Sequence, residues 1–127
     1  MKYLPTIAGG LLGVLFVMAG ATFLLNLVPP QPPPPEGSPV ALFMGAFVPT
    51  GYLKLVKVLE VIGGILIAIP RTRNFGLLIL GPIIVNILAY LALVAKDGLF
   101  AAPIILIVVC ATYLLWDARK KFAALGN

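Results

Sequence analysis

Residues 75–95 read FGLLILGPIIVNILAYLALVA, 21 positions without a charged side chain. A hydrocarbon layer about 30 Å thick is crossed by about 20 such residues wound as a helix. The stretch therefore predicts a membrane-spanning helix, and its flanks predict how the chain turns back on either side. On the N-terminal side Pro70-Arg71-Thr72-Arg73-Asn74 separates it from an apolar run at 52–69. On the C-terminal side Lys96-Asp97-Gly98 separates it from another at 99–116. Pro70 cannot continue a helix, and Gly98 suits a left-handed turn. Links this short join antiparallel neighbours.

A fourth apolar run covers about 4–28. It is longer than the 7–15 residues of a signal-peptide core and lacks a small-residue cleavage site, so it is expected to be retained as a span. The expectation is an all-α, polytopic membrane four-helix bundle, forming a single domain over 1–127. Composition agrees: 61% of the 127 residues are hydrophobic and 10% charged, whereas about 25% charged is usual for a soluble domain. Mean hydropathy is +1.13. There is more apolar surface than one small core can hide, and the excess is expected to face the lipid bilayer.

The sequence has no histidine and one cysteine. These counts exclude a His-ligated haem, a zinc site of the usual Cys/His kinds, a Ser-His-Asp triad and an intrachain disulfide. No catalytic or metal-binding residue is expected.

The outer loop at 29–39 is dominated by proline and is expected to be extended, as a stiff polyproline strap. Ser38 followed by Pro39 marks a helix start. The apolar stretch Val40 to Val48 is too short to span, which predicts a short re-entrant or interfacial helix between spans one and two.

Basic residues indicate orientation. Lys2, Arg71, Arg73 and the run Arg119-Lys120-Lys121 fall on one side, while the opposite connection holds Lys96. The positive-inside rule then places both termini in the cytoplasm of a cell with this chain in its plasma (inner) membrane. Trp116, Tyr113 and Tyr3 suit the aromatic belt. The net charge of +5 is accounted for by this asymmetry. No phosphate-cradling loop or base-stacking arrangement accompanies it, so nucleic acid is not an expected partner.

Charges inside a bilayer cost roughly 2.5–3.5 kcal/mol each on insertion scales. Span two nevertheless carries Lys54, Lys57 and Glu60 at spacings of three. At about 1.5 Å per residue, Glu60 stands about 15 Å above the cytoplasmic end, and Asn86 on span three reaches about the same depth. Tyr90 comes level with Lys57, and Asn26 stands near the outer end of span one. The expected site is a polar ladder of Lys54, Lys57, Glu60, Asn86, Tyr90 and Asn26 facing the bundle interior. Two readings stay open. Lys57 and Glu60 neutralise one another while Asn86 and Tyr90 act as interhelical glue, or the layer holds a small molecule, a quinone or an ion. Gly9, Gly13, Gly63 and Gly64 mark close helix packing, within the chain or between copies in a homo-oligomer, and Pro82 is assigned to the same packing set. Cys110 is expected to be a buried, inert thiol.

Residues 51–64, GYLKLVKVLEVIGG, resemble the signature of the DoxX-like membrane protein family. Gly81 to Asn86 is similar to that family's third span, and Phe16 to Asn26 to the end of its first. The resemblance carries Lys57, Glu60, Gly63, Gly64, Pro82 and Asn86 as functional positions. It implies a link to quinone-linked oxidoreductase systems or redox-stress proteins, with a quinone as non-covalent ligand. With one cysteine and no histidine, the redox centre would belong to a partner protein. The expected function is a non-catalytic accessory or binding subunit that holds a quinone- or lipid-like molecule at the Lys57/Glu60/Asn86 layer. The alternatives are a membrane subunit of a quinone-linked oxidoreductase and a small transporter or channel component. No internal repeat supports the last.

Overall fold

Proline and capping residues place the helix ends, and those ends decide which residues meet. The computed structural model describes residues 3–30 and 32–126. Lys2, part of the orientation argument, and Gln31 in the proline-rich loop lie outside the described residues. Helix α1 runs over Leu4–Leu24, α2 over Pro39–Phe47, α3 over Tyr52–Ala68 and α4 over Arg73–Ala89. Helix α4 continues as a wider π-helical turn, Tyr90–Ala95, before α5 at Ala102–Asp117 and the short α6 at Arg119–Ala123. No strand occurs among the described residues.

Two helical runs have the length and apolarity to cross a membrane: Leu4–Leu24, with 21 residues, and Pro70–Ala95, with 26. A third arises if α5 and residues 119–126 count as one span bent by 71°. Helix α3, at 17 residues and carrying Lys54, Lys57 and Glu60, is shorter and more polar than these.

Several ends follow the local chemistry read from the sequence. The Ser38 hydroxyl caps α2 by accepting from the Ala41 N–H at 3.2 Å, with Pro39 in the first turn. Ile69 is extended (φ −90°, ψ 121°), so α3 stops before Pro70. Gly98 takes φ 81° in the turn before α5. Two boundaries differ from expectation. The first helix stops at Leu24, not at 28, because Asn26 adopts a left-handed backbone (φ 57°) and the Leu27 N–H folds back to the Thr22 carbonyl at 2.8 Å. The last long helix starts at Ala102, not at 99, because the Ala101 N–H closes a turn on the Gly98 carbonyl at 3.1 Å.

Helix α1 packs on α3 and α5, α3 on α4, and α4 on α5. The core lies where these helices meet and contains Leu12, Phe16, Ile67, Leu77, Leu80, Cys110 and Leu114. The α1–α3 seam is tight because both sides lack side chains there. A Cβ placed on Gly13 would stand 2.5 Å from the Gly64 carbonyl oxygen, and one on Gly64 would stand 2.9 Å from the Gly13 oxygen. Gly9 faces Ile67 and Gly63 faces Leu80 in the same way, so all four glycines pack within the chain. Pro82 does not. It sits in the middle of α4 on the helix's exposed side, which removes it from the packing set.

Cys110 is 6% exposed and free. In the folded protein its thiol is expected to resist a membrane-permeant maleimide and to react only after unfolding in SDS. Rapid labelling under native conditions would contradict its burial.

Candidate functional site

Helix α3 buries one stripe, formed by Glu60, Gly63, Gly64 and Ile67. The spacings of three and four are those of a single helix face. Glu60 thus occupies the N-terminal end of a stripe that otherwise exists for close packing, and it is 2% exposed. Its Oε2 lies 3.0 Å from Lys57 Nζ, one turn earlier on the same helix. The two charges are adjacent, and the buried Oε2 meets no polar partner other than Lys57 among the described residues. Lys57 is only partly covered, with 22% of its side chain exposed. Its ammonium stands 5.9 Å from the centre of the Phe23 ring on α1, within reach of a cation–π attraction.

Two contributors from α1 were not identified from the sequence. Phe23 is one. The other is Gly20, where a Cβ would stand 2.8 Å from the Lys57 carbonyl oxygen and 2.6 Å from Val61 Cγ2. The lack of a side chain at Gly20 lets α1 close over the segment that bears the ion pair. The signal was present: Gly9, Gly13 and Gly20 are spaced by four and seven, which keeps them on one helix face.

The rest of the expected ladder does not converge on this pair. Lys54, Asn26 and Asn86 are all exposed. Asn86 does not face the pair, since it lies six residues beyond buried Leu80, about 240° further round a helix of 3.6 residues per turn. Asn26 serves instead in the left-handed turn that ends α1. Tyr90 stacks on Phe43 of α2 with ring centres 4.7 Å apart, and not beside Lys57 as its height suggested. Phe43 in turn meets Phe47 at 4.1 Å, and Phe47 meets Tyr52 at 4.6 Å. A run of four rings therefore ties α2 to the end of α4 and the start of α3.

At the opposite end of α3, Arg73 does more than mark orientation. Its guanidinium donates to Thr6 Oγ1 at 3.4 Å, its buried Nε has no hydrogen-bond partner among the described residues, and a Cβ on Gly9 would stand 2.9 Å from that Nε. One surface depression is an open hollow of about 770 Å³ lined in part by Leu91, Lys96, Asp97 and Phe100. Another is formed by Asp117 to Lys121. Neither includes Lys57 or Glu60. No family model, curated protein or solved structure matches the chain.

Proposed function

We propose that this chain is a multi-pass membrane protein, without catalytic machinery of its own, whose Lys57–Glu60 pair holds the polar head of a quinone- or lipid-like molecule. The observation that carries the proposal is the spare bonding capacity of the pair. The buried Glu60 Oε2 has Lys57 as its one polar neighbour among the described residues, and an ammonium has three donors, of which the contact with Glu60 takes one. A carbonyl or hydroxyl reaching this point would satisfy groups that are costly to leave unmade. The apolar surroundings would suit a ring or acyl chain. Asn86 is not part of this site, since its side chain lies on another face.

In this reading α1, α3, α4 and α5 form a four-span bundle with both termini in the cytoplasm, and α2 lies at the outer surface as an interfacial helix. The likeness of residues 51–64 to DoxX-like proteins supports a quinone before other ligands and a redox partner before none. The redox chemistry of any such complex would reside in that partner.

A second reading is favoured by one specific observation: Lys57 and Glu60 already meet each other at 3.0 Å within one helix. Lys57 and Glu60 would then be a structural ion pair only. Native mass spectrometry of the detergent-purified chain with a short-chain benzoquinone, and separately with phosphatidylethanolamine, distinguishes the two. Binding of at least one probe is expected, with loss in a Lys57→Met/Glu60→Gln double variant that still folds. Retention of the probe by the folded double variant, or no retention by the parent chain, leaves only the structural pair.

A further inference from the structure

We propose that the outer face of α4 pairs two copies of this chain in the membrane, with Asn86 of each copy hydrogen-bonded to Asn86 of the other. Helix α4 turns Leu77, Leu80, Ile83 and Ile84 into the core and leaves Leu78 and Val85 47% and 65% exposed on the opposite side. That side is apolar except for Asn86, which is exposed and makes no side-chain hydrogen bond to a described residue.

The height of Asn86 makes this arrangement unsuitable for lipid. At about 1.5 Å per residue it stands about 24 Å from Pro70 and about 14 Å from Ala95, well inside a spanning helix. Hydrocarbon chains offer a carboxamide neither donor nor acceptor, so polar side chains at this depth are met by another helix. Pro82 deepens the mismatch one turn away on the same face, because it supplies no N–H to the Leu78 carbonyl.

The chemistry selects the occupant. A carboxamide carries both an acceptor and two donors, so it is complementary to itself. A two-fold axis passing beside Asn86 brings the same group from each copy into register.

The test uses the full chain in phosphatidylcholine vesicles, with association followed by single-molecule photobleaching as the protein is diluted in lipid. A monomer–dimer transition is expected. Asn86→Leu should weaken association about 3- to 20-fold, the range spanned by single interhelical polar contacts in membranes. Asn86→Gln should retain much of it. In a Cys110→Ala background, Val85→Cys should form an oxidative cross-link between copies. Val109→Cys, 58% exposed on α5, should not. Monomers at every dilution would assign the face to lipid and overturn the proposal. A dimer indifferent to Asn86→Leu, or one cross-linked through Val109→Cys alone, would overturn it equally. Thermal unfolding of Asn86→Leu in micelles checks that the variant is folded, which a more apolar lipid-facing helix favours.

Discussion

Replacing Lys57 alone by methionine is expected to destabilise the protein by about 3–5 kcal/mol, the cost of leaving one member of a buried pair uncompensated. The stranded group is Glu60, whose side chain is 3% exposed and has no water to turn to. The reverse substitution, Glu60→Gln, should cost less. It strands Lys57, which is 22% exposed on a flexible stem that can carry its ammonium toward the interface. Removing both charges, as Lys57→Met/Glu60→Met, should recover most of the loss or exceed the parent, because well-packed apolar groups often match or surpass a buried ion pair. Unfolding in mixed micelles with increasing SDS measures all three. The order that supports this account is the double variant above Glu60→Gln and Glu60→Gln above Lys57→Met. If Lys57→Met is as stable as the parent, the pair does not neutralise a buried charge.

Gly64→Val is expected to cost about 3 kcal/mol or more, at the upper end of overpacking effects. A Cβ at this position stands 2.9 Å from the Gly13 carbonyl oxygen and 3.1 Å from the Val17 amide nitrogen. Both are backbone atoms of α1, so no rotamer change relieves the contact and the helices must separate along the seam. Separation at Gly64 also loosens the closure of Gly20 over Lys57, so this substitution should impair any probe binding at the ion pair. Gly10→Val is the matched control. It lies on α1 with nothing within 4 Å of its Cβ position, and a change of less than about 1 kcal/mol is expected, since valine is no worse than glycine in a helix. The same SDS titration compares them, and equal losses would refute the seam as the cause.

What could be read from the sequence was what depends on near neighbours. The Ser38 cap, the stop at Pro70 and the left-handed turn at Gly98 each arise from a few adjacent residues, and each occurs as expected. The glycine seam was also legible, because a spacing of four fixes a shared face. The meeting of Lys57 and Glu60 was legible as well, because they stand one turn apart on the same helix. Facing was not. Asn86 was placed at the wrong angle, because counting residues from a helix end gives height alone while direction depends on which stripe the neighbouring helices bury. Tyr90 was lost to a partner in α2, a helix whose packing follows from the path of the proline-rich loop. Asn26 looked like a member of a polar layer and instead supplies a backbone conformation. Its role required knowing where α1 stops.

The ion pair has one further consequence, which concerns the order of assembly. Lys57 and Glu60 belong to the same helix, one turn apart, so their neutralisation needs no second span. The pair can form as soon as α3 winds, before any neighbour is beside it. A chain that divided these charges between two helices would expose a bare carboxylate and a bare ammonium to lipid until the helices met. In the four-span arrangement proposed above, α3 would enter the bilayer with Lys57 and Glu60 already matched and only Lys54, exposed in its first turn, left over. In that arrangement the i, i+3 spacing would let a polar helix join the membrane independently and select its place against α1 afterwards.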